Sequence, residues 1–183
     1  MKNKKSAAIC LIAVLMISLL TGCGAAKAET KADATIDLSS FKTVDLEENE
    51  VTQDIFKDYD MTMINVWTTW CPYCIEEMPE LETVYQKLPE NVNFITICMD
   101  ADKEEEEAKR LMKETGTTFR VLVGNEELQD KVNQYLEGYP STFYVDKDGH
   151  VVGATRTGAP VGNVAEAYTK EMEAALAIVD GRK

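Results

Sequence analysis

The sequence predicts a single α/β domain in which a central mixed β-sheet carries helices on both faces. Two observations lead to this fold class. Strand-like and helix-like hydrophobic periods alternate along the chain, and an Asp-Gly turn near its end joins two strands into a hairpin. The chain has 183 residues, of which 45% are hydrophobic, enough for one packed core with appendages. The predicted domain spans residues 38–183.

Each element follows from its hydrophobic spacing. The nearly continuous apolar run Met61–Trp67 predicts a central strand covered on both faces, and Ile75–Leu88 then switches to helical spacing. In chain order we predict a short half-buried strand at Phe41–Leu46, a helical turn or short helix at Val51–Tyr59, strand Met61–Trp67, helix Ile75–Leu88, strand Asn91–Met99, helix Asp102–Thr115, strand Phe119–Val123, helix Glu126–Leu136, hairpin strands Ser141–Val145 and His150–Thr155, and a closing helix from Val164 to Val179.

Charge and composition exclude several classes of function. The chain has 19 Lys and Arg against 32 Asp and Glu, a net charge of −13 that would repel the phosphates of a nucleic acid. Its single histidine, His150, excludes a multi-histidine metal site, and we expect it to be an exposed strand residue. Five cysteines are too few for a disulfide-stapled scaffold of this length, so the position of each one matters.

The N-terminus has the pattern of a targeting signal. Met1–Lys5 is basic, and the apolar run Ala7–Leu20 is typical of a signal peptide while falling short of a stable membrane-spanning helix. The run ends in Leu20-Thr21-Gly22-Cys23, which resembles the bacterial lipoprotein signal, in which the peptide is cut before a cysteine that is then lipidated. An uncleaved anchor and an ordinary signal with an incidental Cys23 are the alternatives.

On this interpretation residues 1–22 are a lipoprotein signal peptide, and the lipid on Cys23 holds the protein at the extracytoplasmic face of a bacterial cell membrane. The residues after it are small and polar, without an apolar period. We therefore expect residues 23–37 to comprise the lipidated cysteine and a flexible tether.

The candidate reaction centre is the pair Cys71 and Cys74, where the strand ending at Trp67 meets the following helix. A cysteine at a helix N-terminus faces unpaired N–H groups and the positive end of the helix dipole, which stabilise a thiolate, the nucleophile of disulfide exchange. Cys71 is therefore the candidate attacking thiol, and Pro72 suits the first helical turn. Cys74, one turn further on, is expected to be less exposed and close enough to bridge Cys71, as a resolving thiol would be.

Two other interpretations of this pair stay open at this stage. A structural zinc site would need two further ligands from Cys23, Cys98 and His150. A static disulfide would close too small a loop to contribute much stability. We favour a redox-active pair and expect no metal.

Two separate motifs resemble the thioredoxin superfamily, specifically its membrane-tethered TlpA/ResA-like branch. The first is Trp67-Thr68-Thr69-Trp70-Cys71-Pro72-Tyr73-Cys74 with the following Glu77-Met78-Pro79-Glu80-Leu81, and the second runs from Gly138-Tyr139-Pro140 to Gly149. The resemblance implies a thioredoxin-like fold from about residue 41 to the last helix, with no cofactor. It also implies that Cys71 attacks, that Cys74 resolves as its disulfide partner, and that a cis Pro140 beside them helps to bind an extended substrate segment.

The same resemblance draws attention to residues around the pair. Glu77 lies where cytochrome-maturation members carry a glutamate, which implies that it tunes Cys74 or relays its proton; the alternative is an exposed glutamate favoured by the helix dipole. Trp70 is implied to flank the disulfide, with ordinary packing as the alternative. Cys98 lies in an apolar run and is expected to be buried and inert, the alternative being a third redox thiol.

The resemblance implies an extracytoplasmic, membrane-tethered thiol–disulfide oxidoreductase that reduces protein disulfides in cytochrome c maturation, methionine sulfoxide reductase recycling or disulfide repair. Its expected partners are protein disulfide or thiol clients and an integral-membrane thiol electron donor, and we expect a monomer. The Pro-Tyr between the cysteines is typical of glutaredoxins, so a strongly reducing potential does not follow. A disulfide-forming oxidase is the alternative, while a peroxidase and a copper chaperone fit the motif less well.

Overall fold

A computed structural model of the protein describes residues 35–182. The predicted signal peptide, the lipidation site Cys23 and the tether as far as residue 34 lie outside the described residues. The described elements are β1 (Lys42–Val44), β2 (Glu50–Thr52), β3 (Met61–Trp67), α1 (Pro72–Tyr85), β4 (Val92–Cys98), α2 (Ala101–Thr115), β5 (Arg120–Val123), α3 (Glu126–Val132), β6 (Ser141–Asp146), β7 (Val151–Thr157) and α4 (Val164–Asp180). None of the helices in this part of the chain is long and apolar enough to cross a membrane.

The five strands β3 to β7 form one mixed sheet in the order β5-β4-β3-β6-β7. The pairs β3–β4 and β4–β5 are parallel, whereas β6 pairs antiparallel with both β3 and β7. All seven residues of β3 are buried, as its unbroken apolar sequence predicts for a central strand. The predicted α/β fold class with a central mixed sheet is confirmed.

Successive side chains of a strand point to opposite faces of the sheet, so the core is divided between the two faces. On one face Met63 of β3 belongs to an apolar cluster with residues of α1, α2 and α4, among them Met78, Leu111 and Tyr168. On the other face Ile64 packs in a second cluster with Leu128 of α3 and with the segment before β3. Helices therefore cover both faces, as predicted.

The predicted helix at Val51–Tyr59 is wrong in its first part. Val51 lies in β2, which pairs antiparallel with β1 as a separate two-stranded sheet, and only Gln53–Phe56 forms a 3-10 helix. The β-branched Val51 is buried opposite Thr43, so a cross-strand contact decides its conformation. The predicted helix Glu126–Leu136 also breaks early, because α3 ends at Val132 and a 3-10 turn follows it.

The sheet brings both sequence motifs to one end of the molecule. β3 leads out of the sheet at Trp67 toward the cysteines, and β6 enters the sheet directly after Pro140. Because β3 and β6 are antiparallel with Val66 opposite Ser141, the end of β3 lies beside the start of β6. The two motifs are therefore neighbours in space although about 70 residues separate them.

The opposite end of the sheet carries the predicted hairpin turn between β6 and β7. The N–H of Gly149 donates to the carbonyl of Asp146 at 3.0 Å, and Gly149 has a φ of +82°, which favours glycine. The entering chain is attached here, since the N–H of Leu38 donates to the carbonyl of Gly149 at 3.0 Å. His150 follows the turn and is exposed, as predicted.

Candidate active site

Cys71 and Cys74 form a disulfide at the start of α1, with their Cα atoms 5.3 Å apart. Cys71 is the N-cap residue of the helix, and its Sγ accepts a hydrogen bond from the Cys74 N–H at 3.2 Å. In the reduced protein the same N–H group and the helix dipole would stabilise a thiolate on Cys71. We expected Cys74 to be less exposed than Cys71. The difference is small, because Cys71 is 3% exposed and Cys74 is 1% exposed.

The backbone before β6 forms one wall of a groove along the first turns of α1. The Tyr139–Pro140 peptide bond is cis, and the carbonyl of Pro140 accepts a hydrogen bond from the Gly158 N–H at 2.7 Å. This bond ties the segment before β6 to the loop that follows β7. Together with α1 they enclose an open groove of about 510 Å³, whose lining includes Tyr73, Glu76, Glu77, Tyr139, Pro140, Pro160 and Val161.

Large apolar side chains are exposed around this groove. Trp70 is 70% exposed, Tyr73 is 66% exposed and Val161 is fully exposed. The Trp70 ring packs edge-on against Tyr139, with ring centroids 6.0 Å apart, so it lies next to the cis peptide bond. An exposed apolar rim of this kind is typical of a surface that contacts other polypeptides. We call Trp70, Tyr73 and Val161 the apolar rim.

Glu77 is buried about one turn after Cys74 on the same helix. It is only 2% exposed, so the interpretation as an exposed helix glutamate is wrong. Burial raises the pKa of Glu77 to about 7, against the lowering effect of hydrogen bonds from Tyr168 and Asn65 and of the charge on Arg156. A carboxyl group with this pKa can both accept and release a proton at neutral pH.

The partners of Glu77 were not found by sequence reasoning. Asn65 of β3 donates to Glu77 Oε1 at 2.9 Å, and the Tyr168 hydroxyl of α4 donates to Oε2 at 2.8 Å. Asn65 could have been noticed, since it is a polar residue inside an otherwise apolar strand. Nothing in the sequence distinguishes Tyr168 from the other apolar-face residues of its helix.

A second polar contact holds the segment that leads to the cysteines. Asp100 accepts hydrogen bonds from the backbone N–H of Thr69 at 3.0 Å and from the Thr69 hydroxyl at 2.7 Å. Asp100 also accepts from the thiol of Cys98 at 3.3 Å. Cys98 is a free, fully buried cysteine, as predicted, and burial raises the pKa of its thiol well above the ordinary range.

Among residues 35–182, no group of three or more His, Cys, Asp or Glu side chains is arranged to hold a metal ion. Of the further zinc ligands considered within this range, the Cys98 thiol donates a hydrogen bond to Asp100, and His150 lies at the opposite end of the sheet.

Comparison with known proteins agrees with this geometry. Residues 27–171 match the family model described as Redoxin. The thiol-disulfide oxidoreductase ResA of Bacillus cereus is 28% identical over 174 residues, covering 88% of this chain and 95% of the relative. The sporulation thiol-disulfide oxidoreductase A of Bacillus subtilis is 24% identical, covering 81% of this chain and 87% of the relative.

Solved structures show the same fold. A thiol:disulfide interchange protein of the thioredoxin family from Chlorobium tepidum has a TM-score of 0.62 and 23% identity, covering 78% of this chain and 97% of that one. StoA from Bacillus subtilis has a TM-score of 0.60 and 20% identity, covering 75% and 98%. The fold is therefore thioredoxin-like.

Proposed function

Because the chain belongs to the Redoxin family and is a thiol–disulfide oxidoreductase, we propose that it reduces disulfides in extracytoplasmic proteins through Cys71 and Cys74. One observation carries the proposal. The Cys71 sulfur accepts a helix N-terminal N–H and lies at the end of the sheet where a groove runs past the cis Pro140. A nucleophilic sulfur and a place for an extended chain are the two requirements of protein disulfide exchange.

The reaction begins with the reduced protein. The Cys71 thiolate attacks one sulfur of the client disulfide, so that a mixed disulfide forms and the other client sulfur leaves as a thiolate. Cys74 then loses its proton and attacks Cys71, which forms the Cys71–Cys74 disulfide and releases the second client thiolate. The client gains the two electrons that the protein loses. Cys74 gives up one proton, and the second proton that the client thiolates take up comes from solvent.

Glu77 is placed to serve the second step. It lies three residues after Cys74, so both side chains project from the same face of α1. Its carboxylate would take the proton of Cys74 and later release it, which a group with a pKa of about 7 can do near neutral pH. The structure thus favours a proton-relay role for Glu77.

The apolar rim and the groove favour unfolded or extended clients over small thiols. A client segment lying along the groove would cover Tyr73 and Val161, and burial of apolar area would supply much of the binding free energy. Glu76 is the exposed acidic group on the same wall, so we expect acidic client segments to bind less well. Cytochrome c maturation, methionine sulfoxide reductase recycling and disulfide repair remain the proposed pathways.

The N-terminal sequence supports a reaction outside the cytoplasm. The basic start, the short apolar run and Cys23 support a protein that is lipidated at Cys23 and tethered to the cell membrane. A soluble cytosolic reductant would not reach it there, so we propose an integral-membrane thiol protein as the electron donor.

The test is a reduction assay on the full-length protein in detergent micelles, using a disulfide-containing protein client. We expect a reduction potential near the thioredoxin value of about −270 mV and turnover that Cys71→Ser abolishes. Cys74→Ser should accumulate the mixed disulfide, whereas the matched control Cys98→Ser should react normally. A potential near about −120 mV, with oxidation of a reduced client, would overturn the reductase in favour of the oxidase.

A further inference from the structure

A closed ring of hydrogen bonds surrounds the carboxyl group of Glu77, and four different elements contribute to it. Asn65 Nδ2 of β3 donates to Glu77 Oε1 at 2.9 Å and to Thr142 Oγ1 of β6 at 3.0 Å. Thr142 Oγ1 donates to the Tyr168 hydroxyl of α4 at 3.5 Å, and that hydroxyl donates to Glu77 Oε2 at 2.8 Å. All four side chains are buried, with at most 2% exposed.

The two oxygens of Glu77 have chemically different partners. The amide nitrogen of Asn65 can only donate, so Oε1 has to remain an acceptor in both protonation states of the carboxyl group. The proton of neutral Glu77 therefore belongs on Oε2, which faces Tyr168. A hydroxyl group can donate or accept, so Tyr168 can donate to the carboxylate and can also accept from the carboxylic acid.

We infer that Tyr168 is a positioning residue for the reaction: its hydroxyl holds Glu77 Oε2 and reverses its hydrogen bond when that oxygen gains or loses a proton. The inference rests on the proposed function, since it concerns the proton that Cys74 gives up. That proton passes from the Cys74 thiol to Glu77 Oε2. The Tyr168 hydroxyl proton turns from Oε2 toward Thr142 Oγ1, and the Thr142 hydroxyl proton turns away from the Tyr168 oxygen. No proton leaves the ring during the transfer.

Other charged and titratable groups around Glu77 are few in the described residues. Tyr168 faces it from α4, Cys74 lies on its own helix, and Arg156 of β7 acts on it through its charge. Arg156 is itself engaged by Glu171 of α4, with Nε donating to Oε1 at 2.9 Å. The strands β3 and β6 contribute uncharged side chains. Of the groups that lower the pKa of Glu77, the Tyr168 hydroxyl acts most strongly, and a single substitution removes it.

The experiment measures the titration of the Glu77 carboxyl group directly, by ¹³C NMR of the full-length oxidised protein. The disulfide keeps the active-site thiols from titrating, and Glu77→Gln identifies the resonance. Tyr168→Phe removes one donor to the carboxylate, so we expect the midpoint to move up by about one pH unit. The matched control is Tyr144→Phe, which makes the same chemical change at a buried hydroxyl that has no partner in the described residues and should leave the midpoint unchanged.

A second readout tests the consequence in the reduced protein. The pH profile of alkylation at Cys71 and Cys74 should shift in Tyr168→Phe, and Tyr168→Phe should add no shift when Glu77 is already Gln. Should Tyr168→Phe fail to fold, Thr142→Val, which removes the donor to Tyr168, is expected to shift the Glu77 midpoint upward by a smaller amount. An unchanged midpoint, or an equal shift in the Glu77→Gln background, would overturn the inference. Neither readout needs a client, so failure of the reductase proposal is distinguished from failure of this one.

Discussion

The carboxylate of Asp100 holds the backbone of Thr69 two residues before the attacking cysteine. It accepts from the Thr69 N–H at 3.0 Å and from the Thr69 hydroxyl at 2.7 Å. Asp100 follows β4, the neighbour of the strand that leads to Thr69, so one side chain links two adjacent strand ends. The position of Cys71 thus depends on a residue outside both sequence motifs.

Replacing Asp100 with Ala should destabilise the oxidised protein by about 1–3 kcal/mol, because the partly buried Thr69 N–H loses its acceptor. Urea denaturation measures the loss, and hydrogen exchange at Thr69 should accelerate. Asp102→Ala is the control, since Asp102 pairs with the exposed Lys103 and should change stability by less than about 1 kcal/mol. Equal effects of the two variants would contradict the assigned role of Asp100.

Glu77 should make the stability of the oxidised protein fall as the pH rises. Its pKa is raised from 4.5 to about 7, so between these values the folded state binds a proton that the unfolded state has lost. The free energy of unfolding therefore decreases through this window, by up to about 3 kcal/mol, and the penalty is complete above pH 7. Urea denaturation from pH 4.5 to 8 should show this decrease.

Glu77→Gln should remove that part of the pH dependence, so that the variant gains stability relative to wild type as the pH rises. Glu76→Gln is the matched control, because it removes an exposed carboxylate next to Glu77 on the same helix. A Glu77→Gln profile parallel to that of the wild type would show that burial does not raise the pKa of Glu77.

The fully exposed Val161 should contribute to client affinity without affecting the redox chemistry. Val161→Ser should raise KM for a client with an apolar residue beside its cysteine by about three- to tenfold, since it removes apolar contact area. The reduction potential and kcat should stay unchanged. Ile178→Ser removes another exposed apolar side chain, about 20 Å from the start of α4, and should leave KM as it is.

Two glycine substitutions separate backbone strain from steric overlap. Gly149 and Gly162 both have a positive φ, +82° and +90° respectively, but a Cβ on Gly149 would lie 2.5 Å from the backbone of Leu38, while one on Gly162 meets nothing within 4 Å. Gly162→Ala should therefore cost about 1 kcal/mol and Gly149→Ala about 3 kcal/mol or more. Equal melting temperatures of the two variants in thermal denaturation would contradict this difference.

Local sequence signals predict much of the fold and the centre of the site. The apolar run of β3, the helical spacing of α1 and the Asp-Gly turn each depend on neighbouring residues, and the Cys71–Cys74 pair follows from where these elements meet. Val51 is different, because its strand exists only through pairing with β1. The sequence predicts a short helix there because it does not show that partner.

The environment of Glu77 could not be predicted for the same physical reason. Tyr168 lies 91 residues away along the chain and reaches Glu77 only because α4 packs against α1 on one face of the sheet. The position of Glu77 on its helix is compatible with exposure or burial. Tertiary packing decides between them, and with it the pKa of the group.

The attachment of Leu38 to the β6–β7 turn gives the domain a polarity. Leu38 is bonded to Gly149 at the end of the sheet where β3 begins, whereas Cys71 follows the end where β3 finishes, about 23 Å away along that strand. The chain therefore enters the described domain at the pole opposite the disulfide. Residues 35–38 leave the groove and the apolar rim uncovered at the reactive pole.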